Sequence, residues 1–111
     1  MEYESYAKDQ FQVIKIIDVL NLTSQIDELE GVVNTLLEQN KIKIAISFAE
    51  GSYLCSSSGA VLIRCWESIK DHGGVLALIN VNQDILDFLN IIDFDSLIKI
   101  CKSEEDLEAI L

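Results

Sequence analysis

Segments with the hydrophobic pattern of β-strands alternate along this chain with segments that have the pattern of helices. Apolar and polar residues alternate in KIKIAISF, residues 41–48, with the two-residue period of a strand that has one face on a core. The nearly continuous apolar run VLALINV, residues 75–81, is typical of a strand covered on both faces. Shorter strands are expected at residues 11–17 and 97–100.

Four helices are expected between and after these strands. In residues 24–39 the apolar side chains recur at steps of three and four, and Thr23 or Ser24 can cap the start. A second helix follows three consecutive serines and ends at Gly73 or Gly74, which supplies the left-handed residue that closes it. A third is expected around Leu86, and a fourth begins at Ser103. The apolar residues expected to dock the fourth helix are Leu107, Ile110 and Leu111.

This order predicts one α/β domain, residues 1–111, with a four- or five-stranded mixed and mainly parallel sheet. About four helices should lie mostly on one face of the sheet, which would leave the other face open to a partner. The residues expected to be least exposed are Leu29, Leu36, Ile44, Ile46, Leu62, Trp66, Leu76, Leu78 and Leu89.

The charge balance restricts the possible partners. Acidic residues outnumber basic ones by 19 to 8, which gives a formal net charge of -11. Such a domain repels the phosphate backbone of nucleic acids and an anionic membrane surface, so no direct nucleic-acid partner is expected. No apolar run is long enough to span a bilayer, and the acidic N-terminus has no signal-peptide pattern, which predicts a cytoplasmic protein.

No enzyme, cofactor or metal site is expected from the sequence. Cys55, Cys65 and Cys101 are odd in number and widely spaced, which predicts free thiols. The single histidine, His72, lies about four helical turns beyond Ser57, and neither a G-x-S-x-G motif nor a glycine-rich phosphate loop is present. We therefore expect no catalytic residue and no metal ligand.

Three consecutive hydroxyls, Ser56, Ser57 and Ser58, stand between a strand and a helix. A serine at a helix N-terminus is a favourable cap. The same position also tolerates a phosphoryl group, because unpaired backbone amides and the positive end of the helix dipole face it. The residues alone leave capping and phosphorylation both open.

The sequence resembles the STAS domain family of bacterial anti-sigma factor antagonists over nearly its whole length. The family's hallmark is a strand, then D-S-S-G or D-S-T-G opening a helix that ends in G-G before an apolar strand. The corresponding segment here is ISFAEGSYLCSSSGAVLIRCWESIKDHGGVLALINV. IIDVLNLTSQIDEL resembles the family's first strand, G-E-L-D and helix, and ILDFLNIIDFDSLIKICKSEEDLEAIL resembles its tail. The resemblance implies a single STAS-like domain.

Two registers align the phosphorylation motif. Matching letter by letter places residues 57–59 on S-S-G and makes Ser58 the phosphorylated serine. Counting without a gap to the glycine pair places Cys55 on the family's Asp and residues 56 and 57 on its two hydroxyls. We favour Ser57, because the other register puts Arg64 where the family has an apolar residue, and burial of an unpaired Arg costs several kcal/mol.

The resemblance implies a cytoplasmic anti-sigma factor antagonist that is not itself an enzyme. In the unphosphorylated state it would bind an anti-sigma factor that is a serine kinase, and phosphorylation at Ser57 or Ser58 would switch it off. A phosphatase would be the other partner, and a weak homodimer is a further possibility. The implied partner-binding residues are Asn21, Cys55, Ser56, Ser57, Ser58 and Gly59.

Departures from the family pattern leave two alternatives open. Cys55, or Ser56 in the other register, stands in place of the motif's Asp, Asn21 stands in place of the Asp of G-E-L-D, and Asp93 replaces a Gly. The missing carboxylates favour a non-phosphorylated interaction module in a larger signalling or lipid-transport complex. The second alternative is a small-ligand-binding STAS domain, which would need an apolar pocket near Tyr53 and Trp66.

Overall fold

A computed structural model describes residues 1–110, which form one five-stranded sheet with the strands in sequence order. The first two strands form an antiparallel hairpin, and each later strand is parallel to the one before it. The strands are β1 (Tyr3–Lys8), β2 (Phe11–Ile16), β3 (Lys43–Ser47), β4 (Val75–Ile79) and β5 (Lys99–Cys101). The helices are α1 (Glu28–Glu38), α2 (Ser56–Asp71), α3 (Gln83–Ile91) and a terminal 3-10 helix (Glu104–Ile110). The predicted mixed, mainly parallel α/β fold is confirmed.

β1 is a strand that the sequence pattern did not locate. Tyr3 and Tyr6 are half-buried, whereas Glu4, Ser5 and Ala7 are exposed, so no apolar alternation marks the segment. β1 lies at the edge of the sheet and pairs only with β2 through a turn at Asp9, whose φ is 55°. An edge strand of this kind forms because it pairs with its neighbour. The hydrophobic pattern within the segment itself does not indicate that pairing.

Side-chain alternation along the strands divides the protein into two apolar layers. Ile14, Ile46 and Leu78 pack against α1, α2 and α3 on one face of the sheet. Val13 and Ala77 face the other side, where Leu107 of the terminal helix packs on them. Most of the helices therefore lie on one face, as expected, but the second face is partly covered and not bare. Leu111, expected to help dock this helix, lies outside the described residues.

Eight of the nine residues expected to be least exposed are buried, and Trp66 is the exception. Trp66 is half-buried, and its indole Nε1 donates to the backbone carbonyl of Leu97 at 3.2 Å. Its ring meets that of Phe94 edge-on, with 5.8 Å between the ring centroids. An indole needs a partner for its N–H, so Trp66 sits at the margin of the core, where a carbonyl is within reach.

α1 begins later than the sequence pattern indicates. Ser24 and Thr23 do not cap it, because both are bound in a turn around Asn21, whose Oδ1 accepts from the Thr23 amide at 2.8 Å. The Ser24 hydroxyl accepts from the Asn21 amide at 2.8 Å. The helix then starts at Glu28, after Asp27, whose side chain makes no capping hydrogen bond. These hydrogen bonds between side chains and nearby backbone amides stabilise a turn at residues 21–24, and the helix therefore starts later.

Candidate functional site

Three loops meet at the edge of the sheet where the parallel strands end. The Tyr53 amide donates to the Leu20 carbonyl at 2.8 Å, and the Leu20 amide donates to the fully buried Ser52 hydroxyl at 3.1 Å. Asn82, at the start of α3, donates to the Ser52 carbonyl at 2.9 Å. The loop that leads into α2 is therefore tied to the loop after β2 and to the loop after β4.

The serine row occupies the first turn of α2. The helix begins at Ser56, within the range expected around Ser57, and Cys55 is the residue before it, with extended backbone angles. Ser56 and Ser57 are exposed, whereas Ser58 and Gly59 are buried. The Ser58 side chain has only 1% of its surface exposed. Because the serines lie inside the helix and Cys55 occupies the cap position, no serine performs the capping role considered for them.

Cys55 faces two of the serines through its sulfur. The Cys55 Sγ lies 3.1 Å from the Ser57 Oγ and 3.4 Å from the Ser58 Oγ. Hydrogen bonding to the Ser57 hydroxyl, followed by bonding to the Ser58 hydroxyl and the backbone amides of both serines, lowers the pKa of the thiol from 9.0 to about 7. A thiolate at the start of a helix is also favoured by the dipole. Near neutral pH this position therefore carries part of a negative charge, although the chain has no Asp there.

Residues further along α2 show which side of the helix faces the sheet. Leu62, Cys65 and Ile69 are buried against the sheet. Arg64 is exposed and its Nε donates to the Glu30 carboxylate at 2.7 Å, which also raises the pKa of its guanidinium. Arg64 thus lies on the solvent side of the helix, consistent with the ungapped register, and the buried Ser58 hydroxyl is not open to an enzyme.

Exposed apolar side chains lie on the two loops that the hydrogen bond between Tyr53 and Leu20 ties together. Val19, Leu22 and Tyr53, called the apolar rim below, are 57%, 70% and 49% exposed. Asn21, which the resemblance placed in the partner-binding set, is exposed and lines a groove of about 400 Å³ with Leu22, Thr23 and Tyr53. Sequence reasoning did not include Val19 and Leu22 in the site, although two large apolar residues in a loop after a strand are a signal that could have indicated them.

Tyr53 and Trp66, near which a ligand-binding domain would need an apolar pocket, do not line a common cavity. Tyr53 lies on the groove described above and is exposed. Trp66 lines a separate cavity of about 170 Å³ with Lys70 and Leu97. Within residues 1–110 no cluster of His, Cys, Asp and Glu is arranged to hold a metal ion. None of the helices in that part of the chain is long and apolar enough to cross a membrane.

No protein-family model and no curated protein matches the sequence. Solved structures do resemble the fold. A crystal structure of a candidate anti-sigma factor antagonist from Thermotoga maritima, TM1081, superposes with a TM-score of 0.78 at 22% identity, over 97% of this chain and 93% of that one. A STAS domain protein from Planctomyces limnophilus gives a TM-score of 0.71 at 24% identity, over 96% of each chain.

The Bacillus cell fate determinant SpoIIAA, solved in its phosphorylated form, superposes with a TM-score of 0.73 at 13% identity. The match covers 99% of this chain and 100% of SpoIIAA. These superpositions span nearly the whole length of each protein, and they agree with the strand order and the helix placement described above. The chain therefore has the STAS fold of the anti-sigma factor antagonists.

Proposed function

We propose that this protein is a cytoplasmic anti-sigma factor antagonist whose unphosphorylated form binds an anti-sigma factor serine kinase. Phosphorylation of Ser57 by that kinase switches the binding off, and a phosphatase restores it. The observation that carries the proposal is the exposed Ser57 hydroxyl in the first turn of α2, next to a loop that presents exposed apolar side chains. SpoIIAA, which has a similar fold, is a phosphorylated protein.

The apolar rim supports a docking role for this edge of the molecule. Exposed apolar side chains that lie together on a soluble domain mark contact surfaces, and aromatic residues such as Tyr53 contribute strongly to binding. The hydrogen bond from the Tyr53 amide to the Leu20 carbonyl ties together the two loops that carry the rim, and the second of these loops leads directly into the serine row. A partner that covers the rim would therefore also reach Ser57.

A phosphoryl group at Ser57 would change this surface without unfolding it. The free backbone amides at the start of α2 can donate hydrogen bonds to an anion, so the phosphorylated helix remains stable. The group adds about two negative charges, which a docked partner would have to desolvate. The Cys55 Sγ is 3.1 Å from the Ser57 Oγ, so a phosphoryl group there would replace the hydroxyl proton that stabilises the thiolate and would raise the pKa of the Cys55 thiol.

In this proposal the protein is the substrate of a kinase and has no catalytic residues of its own. Magnesium and ATP belong to the kinase. The residues that contact the partner are Asn21, Cys55, Ser56 and Ser57, whereas Ser58 and Gly59, which the resemblance also implied, are buried. Ser57 is the acceptor of choice because Ser58 is buried.

Phosphorylation and partner binding of point variants test the proposal. Intact-mass analysis after incubation with the cognate kinase and Mg-ATP should show one phosphoryl group on the wild type and on Ser56→Ala and Ser58→Ala, but none on Ser57→Ala. Ser57→Asp should bind the unphosphorylated protein's partner about tenfold more weakly or worse, whereas Ser57→Ala should bind normally. Both variants should fold, because an acid is favoured in the first turn of a helix.

A plain interaction module is the second candidate, and the absence of carboxylates at Cys55 and Asn21 favours it. In that case the rim would bind a partner without a switch. Equal partner affinity of the Ala and Asp variants at both Ser57 and Ser58, with all four variants folded, would reject the phosphoswitch and leave this candidate.

A further inference from the structure

A second concave site lies on the face of the sheet opposite α1, α2 and α3. It is a cavity of about 250 Å³ whose floor contains Lys15, Ser47 and Ile79. These three residues are direct cross-strand neighbours on β2, β3 and β4. The segment after β5 forms the wall with Lys102 and Glu104. Residues far apart in the sequence are thus brought together by the sheet register.

The floor of this cavity contains a polar group without a protein partner. Ser47 is 7% exposed, and its hydroxyl makes no hydrogen bond to any residue in 1–110. No side-chain oxygen or nitrogen in that part of the chain is completely enclosed without a partner, so the Ser47 Oγ opens into the cavity. A buried hydroxyl that points into a concave site is available to a bound ligand.

The cavity also combines two positive charges in a strongly acidic chain. The side chains of Lys15 and Lys102 are exposed, and neither forms an ion pair within residues 1–110. The carboxylate of Glu104 accepts a hydrogen bond from the Tyr6 hydroxyl, which anchors it at the wall. Two lysines and a free hydroxyl therefore line one cavity, opposed by the carboxylate of Glu104 in the wall and by that of Glu4, the cross-strand neighbour of Lys15 on β1.

We propose that this cavity binds a small oxyanion of the phosphate type. Ammonium groups bind phosphate as point charges, and here the Ser47 hydroxyl would donate to the same anion from below. The site is separate from the serine row, because Ser47 faces away from α1, α2 and α3 while Ser57 belongs to α2. Asn80 also lines this cavity, and its position is fixed because its side chain donates to the Phe48 carbonyl at 2.7 Å.

Titration with inorganic phosphate, followed by amide NMR at constant ionic strength, tests the proposal. The amides of Ser47, Asn80 and Lys102 should show saturable shifts that fit one Kd. Lys15→Gln and Lys102→Gln should each raise this Kd about fivefold or more, and Ser47→Ala about twofold or more. Glu104→Gln keeps an acceptor for Tyr6 but removes an opposing charge, so it should lower the Kd.

Lys99→Gln is the matched control, because Lys99 is an exposed lysine on β5 that does not line the cavity. It removes the same charge and should leave the Kd within about twofold of the wild type. Non-saturable shifts, or an equal loss of affinity in Lys99→Gln and Lys15→Gln, would overturn the proposal.

A second titration with methyl phosphate identifies the source of the group. Tighter binding than that of inorganic phosphate indicates a phosphate ester, and equal or weaker binding indicates the free anion. Phosphorylation of Ser57 should be unchanged in all these variants, which separates this result from the proposed switch.

Discussion

Cys55 is the residue at which the start of α2 responds to pH. Its pKa is lowered to about 7, whereas burial raises the pKa of Cys65 to about 12 and also raises that of Cys101. A neutral alkylating reagent should therefore modify Cys55 first, with a rate that rises with pH through a midpoint near 7. Ser57→Ala should shift this midpoint upward, because the Ser57 hydroxyl is the largest cause of the lowered pKa. Peptide mass mapping over a pH series measures both effects, and an unshifted midpoint in Ser57→Ala would contradict the assignment.

The same thiol makes the stability of the fold depend on pH. Its pKa is about 7 in the folded protein and near 9.0 when unfolded, so the folded state binds fewer protons between these values. The resulting stabilisation is complete above pH 9 and is lost as the pH falls through 7. The free energy of unfolding, measured with urea, should therefore increase more in the wild type than in Cys55→Ser as the pH rises from 7 to 9. A constant difference between the two proteins would show that the thiolate is not stabilised.

At the scale of the elements, the junction between α2 and β4 depends on two glycines with different roles. Gly73 closes the helix with a φ of 75°, and its amide donates to the Lys70 carbonyl at 2.9 Å. The Gly74 amide donates to the Ile69 carbonyl at 2.8 Å, which completes a Schellman motif. A Cβ on Gly74 would lie 2.1 Å from the Ile42 carbonyl oxygen, so backbone packing excludes a side chain there.

Gly74→Ala should destabilise the protein by about 3 kcal/mol or more, because the clash is with backbone and the strand would have to move. Gly31→Ala is the matched control. Gly31 lies inside α1 with nothing within 4 Å of an added Cβ, so the change should stabilise the protein by about 0.5 to 1 kcal/mol. Chemical denaturation measures both values. The packing explanation fails if the two substitutions change stability in the same direction.

Asn82 joins the start of α3 to the loop before the serine row. Its Oδ1 accepts from the Ile85 amide at 2.8 Å, while its Nδ2 donates to the Ser52 carbonyl at 2.9 Å. Asn82→Ala should cost about 1 to 2 kcal/mol, since it removes a cap and a partly buried hydrogen bond. Hydrogen exchange should become faster at the Ile85 amide. Asn90→Ala, at an exposed position of the same helix, should leave that exchange rate unchanged.

At the scale of the whole molecule, the net charge of -11 acts on a body only 32 × 27 × 25 Å across. The screening length is about 30 Å at 0.01 M salt and about 10 Å at 0.1 M, so at low salt the carboxylates repel one another across the entire domain. Residues 1–110 contain two ion pairs that salt would weaken. Raising NaCl from 0.01 to 0.1 M should therefore stabilise the fold by about 1 kcal/mol, or roughly 4 °C in Tm. A fall in Tm over this range, measured by calorimetry, would show that attractive pairs dominate.

The sequence by itself determined the fold class and most of the core. The patterns in KIKIAISF and VLALINV identify β3 and β4, and the apolar stripe after the serines identifies α2, because hydrophobic period is a local property of the chain. The end of α2 at Gly73 and Gly74 could be predicted for the same reason, because a glycine after an apolar stripe is a local signal for a helix C-terminus. The resemblance to STAS domains was also readable, and the fold that it implied is the one observed.

Only the tertiary structure decided which groups are accessible and which meet. Neighbouring serines in one row differ completely, since Ser57 is exposed and Ser58 is buried, because successive residues of a helix point about 100° apart and only one direction faces the core. The edge strand β1 and the meeting of Lys15, Ser47 and Lys102 depend on strand pairing between distant segments. Hydrophobic period records which side of an element is buried, but the partners it is buried against are set by the packing of the whole chain.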